Sequence, residues 1–267
     1  QEEVLSNGVA SPSFVRFCHS LGWPVKLAQH DSFAGGLDTT KELANGSESF
    51  YWCDEEVEVM WHVPSLMPLN LSDDPQCNAK KRHVGNDFVH VVWSEAGKEY
   101  HPSTFSSKLT QVIIVVTPVA TNSDVNTPSS SDPAPSSASE HLYHVQIMSK
   151  LNAASCPSFG PLVDGCLVGA TAVGPLVRLT AMNANRAVLY LADTGRLNST
   201  TRGLAKDFAA SVAASASAVN TRQPCVVFTP NTSVARRRLL AEFASSRQTT
   251  VAAKYQALSM GLECRYN

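Results

Sequence analysis

The stretch that most constrains this chain is Asn78 to Trp93, NAKKRHVGNDFVHVVW. Four potential cations, Lys80, Lys81, Arg82 and His83, run into a Gly-Asn-Asp corner, and Phe88, Val89, Val91, Val92 and Trp93 follow at once. A short apolar run bounded by turn residues reads as a buried strand. Upstream, Ser72 suits an N-cap, Asp73 and Asp74 put negative charge in the first turn, and Pro75 is tolerated that early. The pattern predicts a helix over 73–84, acidic at its start and basic at its end as the macrodipole prefers. Gly85 is expected to close it in the left-handed conformation. The result is a helix, a corner and a strand that deliver the Asn86 amide beside four cations. The residues alone leave two readings open. Gly-Asn-Asp is common turn chemistry and a basic last turn is ordinary helix design. The same arrangement can also present a polar side chain to a partner.

The remaining patterns set the frame. Ser11-Pro12 opens a helix with Phe14, Phe17 and Leu21 on one face and Gly22 at its end. Trp23-Pro24 forces an extended exit, and Ala34 to Asp38 is a structural turn around Gly35-Gly36. Val57, Val59, Trp61 and Val63 alternate with more polar positions, which predicts a half-buried strand. His62 falls on its polar side and reads as a hydrogen-bonded surface histidine rather than a catalytic one. Gln111–Thr117 and His141–Met148 are further strands. Thr121 to Glu140, rich in Ser, Thr, Pro and Asp, reads as a flexible insert between them. Pro175–Ala192, Leu204–Ala218 and Arg236–Leu258 read as helices, and Arg236, Arg237 and Arg238 as a solvated first turn. This order gives an α/β domain, a mixed central sheet flanked by helices. Residues 1–50 are expected to pack beside it as a small supporting lobe, with 51–267 as the catalytic core.

Composition removes several classes of function. With 267 residues, 43% hydrophobic and 16% charged, the chain can bury the core of one large or two small domains. A net charge of −2 provides no global basic field, so nucleic acid is not an expected partner. No apolar run reaches the roughly 18 residues of a membrane-spanning helix. QEEVLSNGVA lacks the pattern of a signal peptide and reads as the interior of a longer protein. Seven cysteines without a C-x-x-C pair argue for buried thiols rather than a zinc site or disulfide framework. G-x-x-x-x-G-K-[ST], G-x-S-x-G, H-E-x-x-H and the EF-hand loop are all missing from the sequence.

KKRHVGNDFV resembles the catalytic signature of the Rap/Ran-type GTPase-activating domain, found in Rap GTPase-activating proteins, tuberin and the Ral GTPase-activating α subunits. LGWP, GGLD, HVPSLMP and FGPL also resemble family words and stand in the family's order. The resemblance covers about residues 14–190. CNAKKRHVGNDFV looks more like tuberin, whose target is Rheb, while HVVWSEAGKEY, VQIM, FGPLVDG and VRLTAMNANRA look more like the Ral-directed subunits. The longer, more dispersed set favours Ral over Rheb and Rap. The resemblance implies that Asn86 is the family's "asparagine thumb", the catalytic residue. Lys81, Arg82, His83, Gly85, Asp87 and Arg178 would bind the partner or position the helix. It implies a Ras-family small GTPase as partner, and leaves a large non-catalytic subunit or a second copy of the chain as further partners. It implies no cofactor and no metal of the domain's own, since GTP and magnesium belong to the GTPase. It also implies a cytoplasmic location, with recruitment to membranes through the GTPase. The competing reading is a non-catalytic module of the same fold that binds a GTPase without accelerating it.

Overall fold

Val112 to Val116 are five consecutive residues at 4% exposure or less, the mark of a strand covered on both faces. In this computed structural model they begin β5 (Val112–Val119), the most buried strand of a four-stranded sheet ordered β4 (Val89–Trp93), β5, β6 (Leu142–Ser149) and β7 (Cys166–Gly169). The described residues are 2–55, 57–95, 97–105, 107–119, 141–151, 159–195, 197 and 203. All of them fall within one compact unit, residues 1–228. The 121–140 insert, the two helices expected after residue 203 and the Arg236–Arg238 run lie outside the described residues.

The sheet is mixed. β4 pairs parallel to β5, with Val89 opposite Val112, and the remaining pairs are antiparallel. A parallel pair needs a crossover, and here residues 94–111 supply it with a short 3-10 turn at Pro102–Thr104. The long helix α4 (Ala170–Asp193) lies against this sheet and buries Leu176, Val177, Ala184, Val188 and Leu191. It starts five residues before Pro175, the expected first residue. The proline costs one helical hydrogen bond, while Ala172 and Val173 are buried in the added turn. Gly174 lets α2 (Pro12–Leu21) approach, since a Cβ there would meet Ser20 Oγ at 2.2 Å.

The second sheet is antiparallel and three-stranded: β1 (Trp23–Lys26), β2 (Glu48–Cys53) and β3 (Glu58–Trp61). The boundary expected at residue 50 therefore falls inside β2. The strand that alternation marks at 57–63 belongs to this three-stranded sheet and not to the four-stranded one. Tyr51, Met60, Leu27, Leu37 and Met67 form its core. Helix α1 (Glu2–Leu5) inserts Leu5 beside Cys77 and Phe105. Among the described residues, no helix is long and apolar enough to cross a membrane.

Candidate functional site

The basic segment folds as α3 (Asn78–Val84), shorter than the expected 73–84. Cys77 stands before it in the left-handed region, at φ 52°, which breaks the helix there. The exposed N–H groups are capped by Asp74 and not by Ser72. Asp74 Oδ2 accepts from Ala79 N at 2.8 Å, and these backbone hydrogen bonds hold its carboxyl below the usual range.

The four cations divide between two faces. Lys80 is 1% exposed and donates from Nζ to Leu5 O at 3.0 Å, and burial lowers its pKa. His83 is 7% exposed and its Nε2 has no partner among the described residues. Burial first, then the charges of His62 and Arg82, push its pKa down to about 4. His83 is therefore a neutral packing residue near pH 7. Arg82 points to solvent and Lys81 is half-buried, and neither forms an ion pair among the described residues.

Gly85 follows, at φ −68° and ψ −15°, so it does not close the helix in the left-handed conformation. It is needed for space instead: a Cβ there would lie 2.6 Å from Lys81 O. Asn86 is exposed. Its Nδ2 donates to Arg82 O at 2.7 Å, satisfying one of the helix's last carbonyls, and its Oδ1 accepts nothing among the described residues.

The corner that carries Asn86 is braced from three directions. Ser107 Oγ donates to Gly85 O at 2.5 Å, and Thr110 Oγ1 donates to Asp87 O at 3.0 Å. Phe88 O accepts from Gln111 N and Val112 N, while the Phe88 ring packs on Leu109, Val188 and Ala192. His90, buried below, reaches Val84 O at 2.8 Å and Thr110 Oγ1 at 3.0 Å. The third brace is His62, at the end of β3. Its side chain is 8% exposed, so it is not the surface histidine expected from alternation. Nδ1 lies 2.9 Å from Asp87 Oδ2, and Nε2 lies 2.9 Å from Gly35 O. Gly35 is confined to glycine by its φ of 62° and by His62 Nε2, which a Cβ would meet at 3.2 Å.

Asn86, Lys81, Arg82, His83, Gly85 and Asp87 thus form one constellation, and Arg178 lies apart from it. Arg178 is 6% exposed, donates from Nη1 to Ser20 O and Leu21 O, and stands 4.4 Å over the Trp52 ring. Its role is to fasten the end of α2, so it is no surface contact for a partner. Sequence reasoning missed Ser107, Thr110 and the His62–Asp87 contact. No local signal marks the last, because His62 and Asp87 lie 25 residues apart on different elements and meet only in the fold.

A family model described as Rap/ran-GAP matches residues 4–214. The chain belongs to the Rap/ran-GAP family. It is 35% identical over 191 residues to the human Ral GTPase-activating protein subunit alpha-1, covering 72% of this chain and 8% of that protein. It is 37% identical over 119 residues to the tuberous sclerosis 2 protein homolog of Schizosaccharomyces pombe, covering 44% of this chain and 9% of that one. The chain therefore spans less than a tenth of these relatives' length. A solved structure of the TSC2 GAP domain superposes with a TM-score of 0.57 at 35% identity, covering 72% of this chain and 91% of that chain. The α/β fold of a Rap/ran-GAP domain is thereby shared.

Proposed function

We propose that this domain accelerates GTP hydrolysis on a Ras-family small GTPase, Ral ahead of Rheb and Rap, by supplying the Asn86 carboxamide in trans. The observation that carries the reading is an exposed amide on a corner whose neighbours are all tied down. Hydrolysis needs a water held in line with the γ-phosphate and charge stabilised on the phosphoryl oxygens. A carboxamide can accept from that water through its oxygen and donate to a phosphoryl oxygen through its nitrogen. Asn86 Nδ2 carries two hydrogens. One holds Arg82 O, which leaves the other and Oδ1 for the reaction.

Stimulation by activating proteins reaches about 10⁵-fold, or about 7 kcal/mol of barrier. One amide does not supply all of this, so ordering of the GTPase's own switch residues contributes much of it. Outward-facing Arg82 and half-buried Lys81 suit acidic groups on the partner. The preference for Ral rests on the HVVWSEAGKEY, VQIM, FGPLVDG and VRLTAMNANRA words, since the Ral GTPase-activating subunit alpha-1 and the TSC2 GAP domain each match 72% of this chain at 35% identity. The reading carries with it no cofactor of the domain's own and a cytoplasmic location.

Phosphate release from GTP-loaded Ral, Rap and Rheb tests the reading, with the domain in substoichiometric amounts. Multiple turnovers on at least one GTPase, fastest on Ral, are expected. Binding without acceleration on any of the three would leave a non-catalytic binding module of the same fold.

A further inference from the structure

The His62 ring is held between two groups that can only accept hydrogen bonds. Nδ1 lies 2.9 Å from Asp87 Oδ2 and 3.1 Å from Oδ1, and Nε2 lies 2.9 Å from Gly35 O. A carbonyl oxygen has no proton to give, so Nε2 must carry one. A proton between a carboxylate and an imidazole rests on the imidazole, the stronger base, so Nδ1 carries one as well. A ring that donates from both nitrogens is an imidazolium.

We infer that His62, as a buried imidazolium, is the positioning residue of the Asn86 corner: it ties the Asp87 carboxylate to the Gly35 loop, and deprotonation of the ring releases the grip. The inference rests on the assignment of Asn86 made above. Asp87 directly follows Asn86, and His62 supplies the hydrogen bond that its carboxylate accepts. The clasp joins three segments that are remote in sequence: the 34–38 turn, the end of β3 and the corner after α3.

The surroundings leave Asp87 as the counter-charge. From α3, the His83 ring faces His62 at 5.3 Å between centroids, and its burial keeps it neutral near pH 7. Arg82, on the same helix, points outward. The 34–38 turn offers the Gly35 carbonyl. On β3 itself, Glu58 is engaged by Tyr51 Oη and Phe33 N. Burial alone would strip the proton from His62. The Asp87 charge and the two hydrogen bonds outweigh it, and the pKa rises above the ordinary 6.5. The clasp is therefore closed at pH 6.5 and opens as pH climbs through that raised value. A neutral ring has one N–H, so either Asp87 or Gly35 loses its donor.

The test uses the domain labelled with ¹⁵N, with the ring nitrogens of His62 and the side-chain amide of Asn86 followed by NMR between pH 5.5 and 9. Both ring nitrogens are expected to be protonated at pH 6.5. The midpoint should lie above 6.5, and the Asn86 amide resonances should move with that same midpoint. In His62→Gln the movement at Asn86 should vanish. Stimulated hydrolysis, divided at each pH by the GTPase's own rate, should fall across the midpoint in kcat by up to about a hundredfold with little change in KM, the scale of a catalytic group displaced by about 1 Å. His62→Gln should be slower at pH 6.5 and flat with pH. A ring with one bare nitrogen at pH 6.5, or Asn86 resonances that ignore the ring's titration, would overturn the inference and leave the amide assignment standing. A shared midpoint in a domain that stimulates no GTPase would overturn the proposed function and, with it, the catalytic meaning of the clasp.

Discussion

On the inner face of α3, Lys80 is 1% exposed and His83 7%, while Arg82 on its outer face and Asn86 just beyond its end stand in solvent. Residues that look alike in sequence meet opposite fates within one turn of helix. Inside, burial lowers the pKa of both Lys80 and His83, and the Lys80 ammonium is used to hold Leu5 O. Outside, the Asn86 carboxamide spends one N–H on the helix end and keeps the rest of its hydrogen-bonding capacity. The inner face anchors the helix, and the outer face is left to solvent. The basic run therefore exposes Arg82 fully and Lys81 in part, where composition suggests four outward cations.

The comparison is broken most sharply at its two extremes. Asn86→Ala should lower stimulated hydrolysis by roughly 10³-fold, about 4 kcal/mol of barrier. Its unfolding free energy should change by no more than about 1 kcal/mol, since one exposed helix-end hydrogen bond is lost. Phosphate-release kinetics and urea unfolding check the two halves. Lys80→Ala should do the reverse. The lost packing and the orphaned Leu5 carbonyl should cost about 2–4 kcal/mol of stability, with kcat within a fewfold for the fraction that remains folded.

The Asn86 side of this comparison was legible in sequence, and the Lys80 side was not. The GND corner, β4 and the amide at position 86 follow from local turn and strand chemistry, which neighbouring residues decide. So do α2, with its Ser11 cap and Gly22 end, and the apolar β5. Which face of a seven-residue helix turns inward is decided by Leu5, Phe105 and β3, all distant in sequence. The same holds for His62, which alternation places on a polar face because the pattern cannot foresee Asp87 arriving from the next element. The two-sheet division was hidden because β3 looks like any half-buried strand, and only its pairing with β2 assigns it. For Arg178 the sequence leaves partner binding and helix positioning both open, and only α2 laid across α4 shows it bound to that helix's end.

Two smaller effects sharpen the contrast. Because the fold buries His83 neutral, unfolding takes up a proton below about pH 6.5. Stability should then be lost as pH falls from there towards about 4, by up to roughly 3 kcal/mol. Urea unfolding at pH 7 and pH 4.5 should show this component in wild type and lose it in His83→Met. Lys81→Ala and Arg82→Ala should be the mildest. Stability should stay within about 0.5 kcal/mol, while KM for the GTPase rises fewfold and the rise shrinks at high salt.

The central claim is that Asn86 acts on the transition state rather than in general docking, and affinity for a transition-state mimic tests it most directly. Wild type and Asn86→Ala are compared for binding to the GTPase with GDP, with a slowly hydrolysed GTP analogue, and with GDP plus aluminium fluoride. The account predicts that wild type binds the fluoride complex far more tightly than the GDP form, and that Asn86→Ala weakens this complex most while changing the analogue complex little. Equal affinity of wild type and Asn86→Ala in all three states would contradict it.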